Sequence, residues 1–477
     1  MKTLLKRTVH EHRVALDRRE YSSVELTRAY LSAMEEENAS LGAFLCVDEA
    51  GALARSEESD RRMLRGEGRG FFEGIPYSLK DNIAVRGLPM TCASKIMEGY
   101  ISPYDAAVVE RLSLGGAVLL GKNNMDELAI GSTGTHSAYG EVKNPSAPLC
   151  ACGGSSSGSA ASVAAGLSPF SLGTDTGGSV RLPAALCGVI GFKPSFGAVS
   201  RYGVAEMASS LDCVGIISRS VEDCRAIFEG IAGKDARDMT SYDLSQNPPI
   251  SLQSPLRVAM LSWEGDACVS PSVKAAIKNA AEIFSLCGDA CFHEELPMPQ
   301  DALAAYTVLS ACEAASNLSR YDGVRFGKRA GEDTLSRLYS SSRAEIGDEA
   351  LAKILFGVDM LSGEKRERYY LRALRARETL SAYMRTLTEC YDLILLPTAA
   401  TTAFPIGMSS DPEMQNCTDL CTALASLCSL PAISLPVGRD DNGLPIAVQL
   451  CAGVKKDALL LAAAQQLINK GGKGFGA

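Results

Sequence analysis

The chain has 477 residues, 46% of them hydrophobic, with a mean hydropathy of +0.04 and a formal net charge of −9. That is ample apolar material for a core, and the length fits either several domains or one large α/β body. The acidic balance argues against broad nucleic-acid binding by the chain's own surface and leaves such a surface to a partner, and no run approaches the roughly 20 apolar residues of a membrane span.

The first 60 residues read as helices, with Glu25 three positions after Ser22 as in a capping box. From Gly74 the texture changes to short strands, glycine turns and small helices, which predicts a core segment over 74–235. Buried strands are predicted at 116–121, 189–191 and 214–217. A small-residue helix over 160–166 ends at glycine, and a strand follows at 170–172. Residues 236–256 are polar and proline-bearing, so a surface connection is expected there, and a strand restarts at 256–261. The stretch 300–388 is strongly helical. Its basic run at 364–377, interleaved with Tyr369, Tyr370, Leu371 and Leu374, reads as a solvated amphipathic helix. Late strands at 393–397 and 432–436 return the chain to the sheet over 389–470. There is no internal repeat. The alternation predicts one α/β/α domain over 1–477, a mixed central sheet covered by helices on both faces, with a helical excursion.

Sixteen cysteines do not form an evident disulfide framework. Cys187, Cys213, Cys428 and Cys451 lie in apolar runs and the N-terminus has no signal-peptide core, so free thiols and a cytoplasmic location are expected. Cys150-Ala151-Cys152 and the pair Cys417 and Cys421 have spacings that suit a metal. No second pair or nearby histidine completes four ligands, and no metal is expected.

Three segments carry the chemistry: Ser78-Leu79-Lys80-Asp81-Asn82, Gly153-Gly154-Ser155-Ser156-Ser157-Gly158-Ser159 and Gly173-Thr174-Asp175-Thr176-Gly177-Gly178-Ser179. Of only four histidines, His10 and His12 lie in an N-terminal helix and His293 follows a strand-like segment. His136, in a glycine-bearing loop, is expected at the surface, so a Ser-His-Asp triad is a poor fit. A serine hydrolase without histidine needs another base, and Lys80 is the candidate. With a reference pKa near 10.4, only about one lysine in 10³ is neutral at pH 7, so Lys80 must be carried inward by the apolar run before it. The glycine turns let backbone N–H groups face one point, as an oxyanion hole demands, with Thr176, Gly177, Gly178 and Ser179 as donors. Neither turn is a P-loop or a dinucleotide fingerprint.

With these residues assembled, the chain resembles the amidase signature family, and within it the glutaminase subunits of tRNA-dependent amidotransferases. The spacing carries this first: 75 positions from Lys80 to Ser155 and 24 from Ser155 to Ser179. Thr91-Cys92-Ala93-Ser94-Lys95-Ile96, Ser209-Ser210-Leu211-Asp212 and Asn317-Leu318-Ser319-Arg320-Tyr321-Asp322-Gly323 carry it further, and it runs nearly end to end. The resemblance implies Ser179 as nucleophile, Ser155 as a bridging serine on a cis peptide bond, and Lys80 as the terminal base. It implies Asp175 and Arg181 as braces of the loop and Asp419 as the holder of the substrate's α-ammonium group. The implied reaction is glutamine hydrolysis through a Ser-bound glutamyl ester. Ammonia then passes to a partner, the B subunit, which uses ATP and magnesium to convert Glu-tRNA(Gln) to Gln-tRNA(Gln). A small C subunit that clamps the pair completes a heterotrimer, and this chain itself needs no cofactor. A stand-alone amidase of the same family on another small amide is the alternative. A scaffold with a decayed site is a third reading, against which the intact Lys80, Ser155 and Ser179 speak. Three departures stand out. Ser157 replaces a usual glycine, and Cys150-Ala151-Cys152 replaces Arg-Val-Pro. Lys353 stands where an arginine usually grips the glutamine carboxylate, keeping the charge but losing the bidentate fork.

Overall fold

Strands from across the chain enter one mixed sheet in the computed structural model, which describes residues 2–244, 255–262, 268–297, 299–331, 334–408 and 412–471. In chain order they are β1 (Phe44–Val47), β2 (Pro76–Lys80), β3 (Val118–Asn123), β4 (Phe170–Asp175), β5 (Ile190–Lys193), β6 (Cys213–Ser218), β7 (Arg257–Ser262), β8 (Ala290–Glu295), β9 (Leu393–Pro397), β10 (Ala432–Arg439) and β11 (Pro445–Ala452). Their order across the sheet is β1-β3-β2-β4-β6-β5-β10-β11-β9-β7-β8. β2 runs parallel to β3 and β4, and β7 to β8 and β9, while the other pairings are antiparallel. Every residue of β2, β3, β4, β6, β9 and β11 is buried. Successive strand residues face opposite ways, so unbroken burial means that both faces of the sheet are covered.

Most predicted elements are present. The Ser22–Glu25 capping box closes in both directions at the start of the helix Ser23–Leu41. The excursion consists of the helices Pro299–Leu318, Leu335–Arg343, Asp348–Leu361 and Leu371–Cys390. Its basic run has no buried residue over Arg366–Tyr370, as a solvated face requires. Arg377 departs from that pattern: it turns inward to the Leu427 carbonyl (2.9 Å) and Ser210 Oγ (2.7 Å), tying the excursion to the body. Two strands escape the sequence pattern. β1 interrupts the N-terminal helices, being too short at four residues to display alternation, and β11 begins with a proline that reads as a break. The 236–256 connection is only partly a surface strap, because Asp238 and Ser241 are buried, and residues 245–254 lie outside the described residues. Among the described residues no helix is long and apolar enough to cross a membrane, no acid, histidine and cysteine group could hold a metal, and the cysteines are free thiols. The Cys417 side chain lies outside the description.

One juxtaposition positions the site. β2 and β4 are parallel neighbours paired at Ser78 with Ser171 and Leu79 with Leu172, so Lys80 and Asp175 end their strands on the same edge of the sheet. Carboxyl ends of parallel strands are where α/β sheets place ligands. Between the two segments, the helix Ser157–Ala165 is built of glycine, alanine and serine apart from Val163, and its close approach to the sheet depends on Gly158. A Cβ there would sit 2.4 Å from the Ala43 carbonyl oxygen and 2.5 Å from that of Asn124, backbone atoms that cannot swing aside. Gly158→Ala is expected to destabilise the protein by about 3 kcal/mol through overpacking. Gly438→Ala, where a Cβ meets open space, serves as the control. Urea unfolding of both variants checks this, and equal midpoints would contradict the packing.

Candidate active site

Lys80 is fully buried at the end of β2. Its Nζ lies 2.7 Å from Ser155 Oγ, 2.9 Å from Thr174 Oγ1 and 3.4 Å from the Thr174 carbonyl oxygen. Burial pulls its pKa down to about 7, against the opposing pull of Asp126, Asp212 and Asp175. The sequence requirement for a neutral base is therefore met by desolvation. A neutral amine has two N–H donors and one lone pair. Thr174 Oγ1 and the Thr174 carbonyl take the two donors, which leaves the lone pair for the Ser155 hydroxyl. Asn82 Nδ2 donates to the same Thr174 Oγ1 at 3.1 Å and holds it in place.

Ser155 is fully buried and follows a cis Gly154–Ser155 peptide bond. The Asp126 N–H donates to its carbonyl at 3.1 Å, and the Ser156 N–H donates to the Ser179 carbonyl at 3.0 Å, which joins the two serine segments. The Asp126 carboxylate gathers the amides of Gly134 (3.1 Å) and His136 (3.0 Å) and sits against Gly154, where any Cβ would collide with it. His136 is half-buried rather than a surface residue, and its backbone, not its ring, serves the site.

Asp175 organises the second turn. It accepts from the amides of Gly178 (2.9 Å) and Val180 (3.1 Å) and from Arg181 Nε (3.0 Å) and Nη2 (2.8 Å). Burial alone would raise this carboxyl, but Arg181 takes it below its ordinary value. One expectation changes here. The Gly178 amide is engaged by Asp175, whose carboxylate folds back over its own turn and also takes the Val180 and Arg181 amides at the start of the helix Arg181–Cys187. The candidate oxyanion donors narrow to Thr176, Gly177 and Ser179. Thr176 Oγ1 in turn donates to Asp212 (2.6 Å), whose carboxyl burial lifts to about 6.

Ser179 faces a cavity of about 80 Å³ that is also lined by Gly177, Gly178, Tyr306, Glu349, Lys353, Asp419 and Thr422. Asp419 lies on the helix Pro412–Leu427, and burial lifts its carboxyl to about 6 while Lys353 opposes the rise. Lys353, on the helix Asp348–Leu361, sits 5.5 Å from the Tyr306 ring centre, and burial lowers its pKa. Among the described residues no ion pair joins Lys353 to Asp419, so both charges remain directed at the cavity. Thr422 donates to the Gly177 carbonyl, and Arg181 donates to the Thr422 carbonyl (3.0 Å) and Ser426 Oγ (2.9 Å). The Asp419 helix and the Ser179 turn are thus bolted together. Ser157 is buried with no partner for its hydroxyl, and its Cβ is accommodated by Gly134 opposite. A larger cavity of about 810 Å³ between the helix Pro271–Leu286 and β7 and β8 contains none of these residues, so size alone does not mark the site.

Sequence reasoning does not single out Thr174, Asp126, Asp212, Tyr306 or Glu349 as site residues. Only the Glu349–Lys353 pair, one helical turn apart, leaves a local sign.

The chain is similar to known proteins along nearly its whole length. The amidase family model matches residues 25–461. The A subunit of glutamyl-tRNA(Gln) amidotransferase from Thermus thermophilus is 41% identical over 457 residues, 95% of each chain. The crystal structure of the protein of that name from Thermotoga maritima superposes with a TM-score of 0.79 at 32% identity, over 97% of this chain and 94% of that one. Peptide amidase from Stenotrophomonas maltophilia superposes with a TM-score of 0.78 at 29% identity, over 96% of both chains. With the family model spanning most of its length and relatives above 30% identity covering nearly all of it, the chain belongs to the amidase family.

Proposed function

We propose that this chain is the glutaminase subunit of the heteromeric amidotransferase that converts Glu-tRNA(Gln) to Gln-tRNA(Gln). The observation that carries the reading is that Ser179 shares one small cavity with an anionic and a cationic side chain, Asp419 and Lys353. An α-amino acid offers the complementary pair: its ammonium group to Asp419 and its carboxylate to Lys353, leaving the side-chain amide for Ser179. The relatives that carry the name of a glutamyl-tRNA(Gln) amidotransferase A subunit support the amidotransferase part of the reading.

In this mechanism Ser179 Oγ attacks the amide carbon as its proton passes to Ser155 and from Ser155 to neutral Lys80. The amides of Thr176, Gly177 and Ser179 stabilise the developing oxyanion. The returning proton makes ammonia the leaving group, and water then releases glutamate from the Ser179 ester. Ammonia goes to the B subunit, whose step uses ATP and magnesium, and the C subunit holds the two together.

The direct test is ammonia release from glutamine by the chain alone and with candidate B and C subunits, beside Ser179→Ala. Turnover that rises with the partners and falls by about 10³-fold or more in Ser179→Ala supports the reading. Activity only on other amides, indifferent to partners, assigns a stand-alone amidase instead.

The reaction should also carry an acidic limb. Lys80 works as a base only when neutral, and Asp419 holds an ammonium group only when ionised. So kcat/KM should rise about twentyfold from pH 6 to pH 8, about tenfold from Lys80 and about twofold from Asp419, level off above that, and fall more steeply below pH 6. A flat profile across pH 6 to 8 contradicts the lysine base. Replacing Lys353 with arginine restores a bidentate partner for a carboxylate, and Lys353→Arg is expected to lower KM for glutamine about fivefold with kcat nearly unchanged. An unchanged or higher KM assigns the carboxylate to another cation.

A further inference from the structure

We propose that Cys152 and Cys187 form a reversible disulfide that displaces the loop carrying Ser155. The two sulfurs lie 3.3 Å apart in the reduced protein, and both side chains are buried. Cys187 Sγ also donates across to the Cys152 carbonyl at 3.5 Å, while Cys152 Sγ donates within its own loop to the Ser157 carbonyl at 3.4 Å. The thiols already face each other, and no third side chain need move from between them.

Their places in the fold give the bond a consequence. Cys152 stands three residues before Ser155, and Cys187 ends the helix that begins just after Ser179. The loop lies directly on that helix, since a Cβ at Gly153 would meet Pro183 Cα at 2.8 Å. A disulfide requires the sulfurs to close to about 2.0 Å, more than an ångström nearer than they stand. The loop has no slack to absorb this, because Ser155 is held at Lys80 and Ser156 at Ser179. Displacement of a reacting group by about 1 Å costs on the order of 10²-fold in rate.

The chemistry balances with a peroxide as oxidant. One thiol gives an electron pair to a peroxide oxygen, releasing water and leaving a sulfenic acid; the other sulfur then displaces the remaining oxygen as a second water. Two thiols and one peroxide yield one disulfide and two waters. The contact with Cys187, followed by burial, holds the Cys152 thiol well above its ordinary pKa. Oxidation therefore requires local opening of the loop and is slow.

The test treats the full chain with hydrogen peroxide, alkylates residual thiols, and maps the disulfides by mass spectrometry while amide hydrolysis is followed. A Cys152–Cys187 cross-link should accumulate with at least tenfold loss of activity, and dithiothreitol should reverse both. Cys152→Ala and Cys187→Ala should start near full activity and lose the reversible component of inactivation. Absence of the cross-link in an oxidised, still folded chain overturns the proposal, as does a cross-link without loss of activity or equal reversible inactivation in both variants. The mapping needs no variant and no turnover, so its failure is distinguishable from failure of the glutaminase reading.

Discussion

Burial of the Lys80 amine beside a hydroxyl, rather than beside a carboxylate, is the constraint on which the rest of the site depends. The same sheet supplies the contrast. Lys122, near the end of β3, is equally buried, but its Nζ lies 3.0 Å from the Asp81 carboxylate and forms an ion pair. Among the described residues, Lys80 has only Ser155 and Thr174 within hydrogen-bond distance. Its three nearby acids are each occupied elsewhere: Asp126 by loop amides, Asp212 by Thr176 and the amides of Met207 and Ala208, Asp175 by Arg181 and its own turn. They act on the amine through space without capturing its proton. Desolvation therefore prevails, and the amine can return to its neutral form after each proton transfer.

The second requirement is that the base, the nucleophile and the substrate pocket keep their spacing. Arg181 meets it by saturation. Its five N–H donors reach Asp175, the Thr422 carbonyl, Ser426 and Gln449, joining the end of β4, the Asp419 helix and β11. A fully buried guanidinium is tolerable only when every donor is met, and here each partner belongs to a segment that must not move relative to Ser179. The residue that braces the turn thereby also fixes the distance from Ser179 to Asp419.

The parts legible in the sequence are those written locally. Lys80, Ser155 and Ser179 stand out because glycine turns and a histidine-poor composition narrow the possible bases, and the long buried strands announce themselves as apolar runs. What distant segments contribute is not legible. Tyr306 and Glu349 come from the excursion, and Asp126 acts through the amides of a loop that no periodicity marks. The engagement of Gly178 escapes the sequence pattern although Asp175 lies only three residues earlier, because a carboxylate folding back on its own turn competes with the substrate for the same amides. β1 is too short to show itself, and the leading proline of β11 hides the strand behind it.

The departures from the family pattern in the serine loop are physically linked. Ser157 adds a side chain where glycine is usual, and its Cβ presses on Gly134, where a Cβ would stand only 2.8 Å away. The same virtual atom lies 3.4 Å from the Cβ of Cys152, the other altered position. Ser157 and Cys152 therefore flank one glycine, and the Cys152 thiol donates to the Ser157 carbonyl. Neighbours that share a partner do not contribute independently, so the two changes form a single repacking of the loop rather than two separate losses. A polarisable cysteine in place of a rigid proline can yield to the added serine.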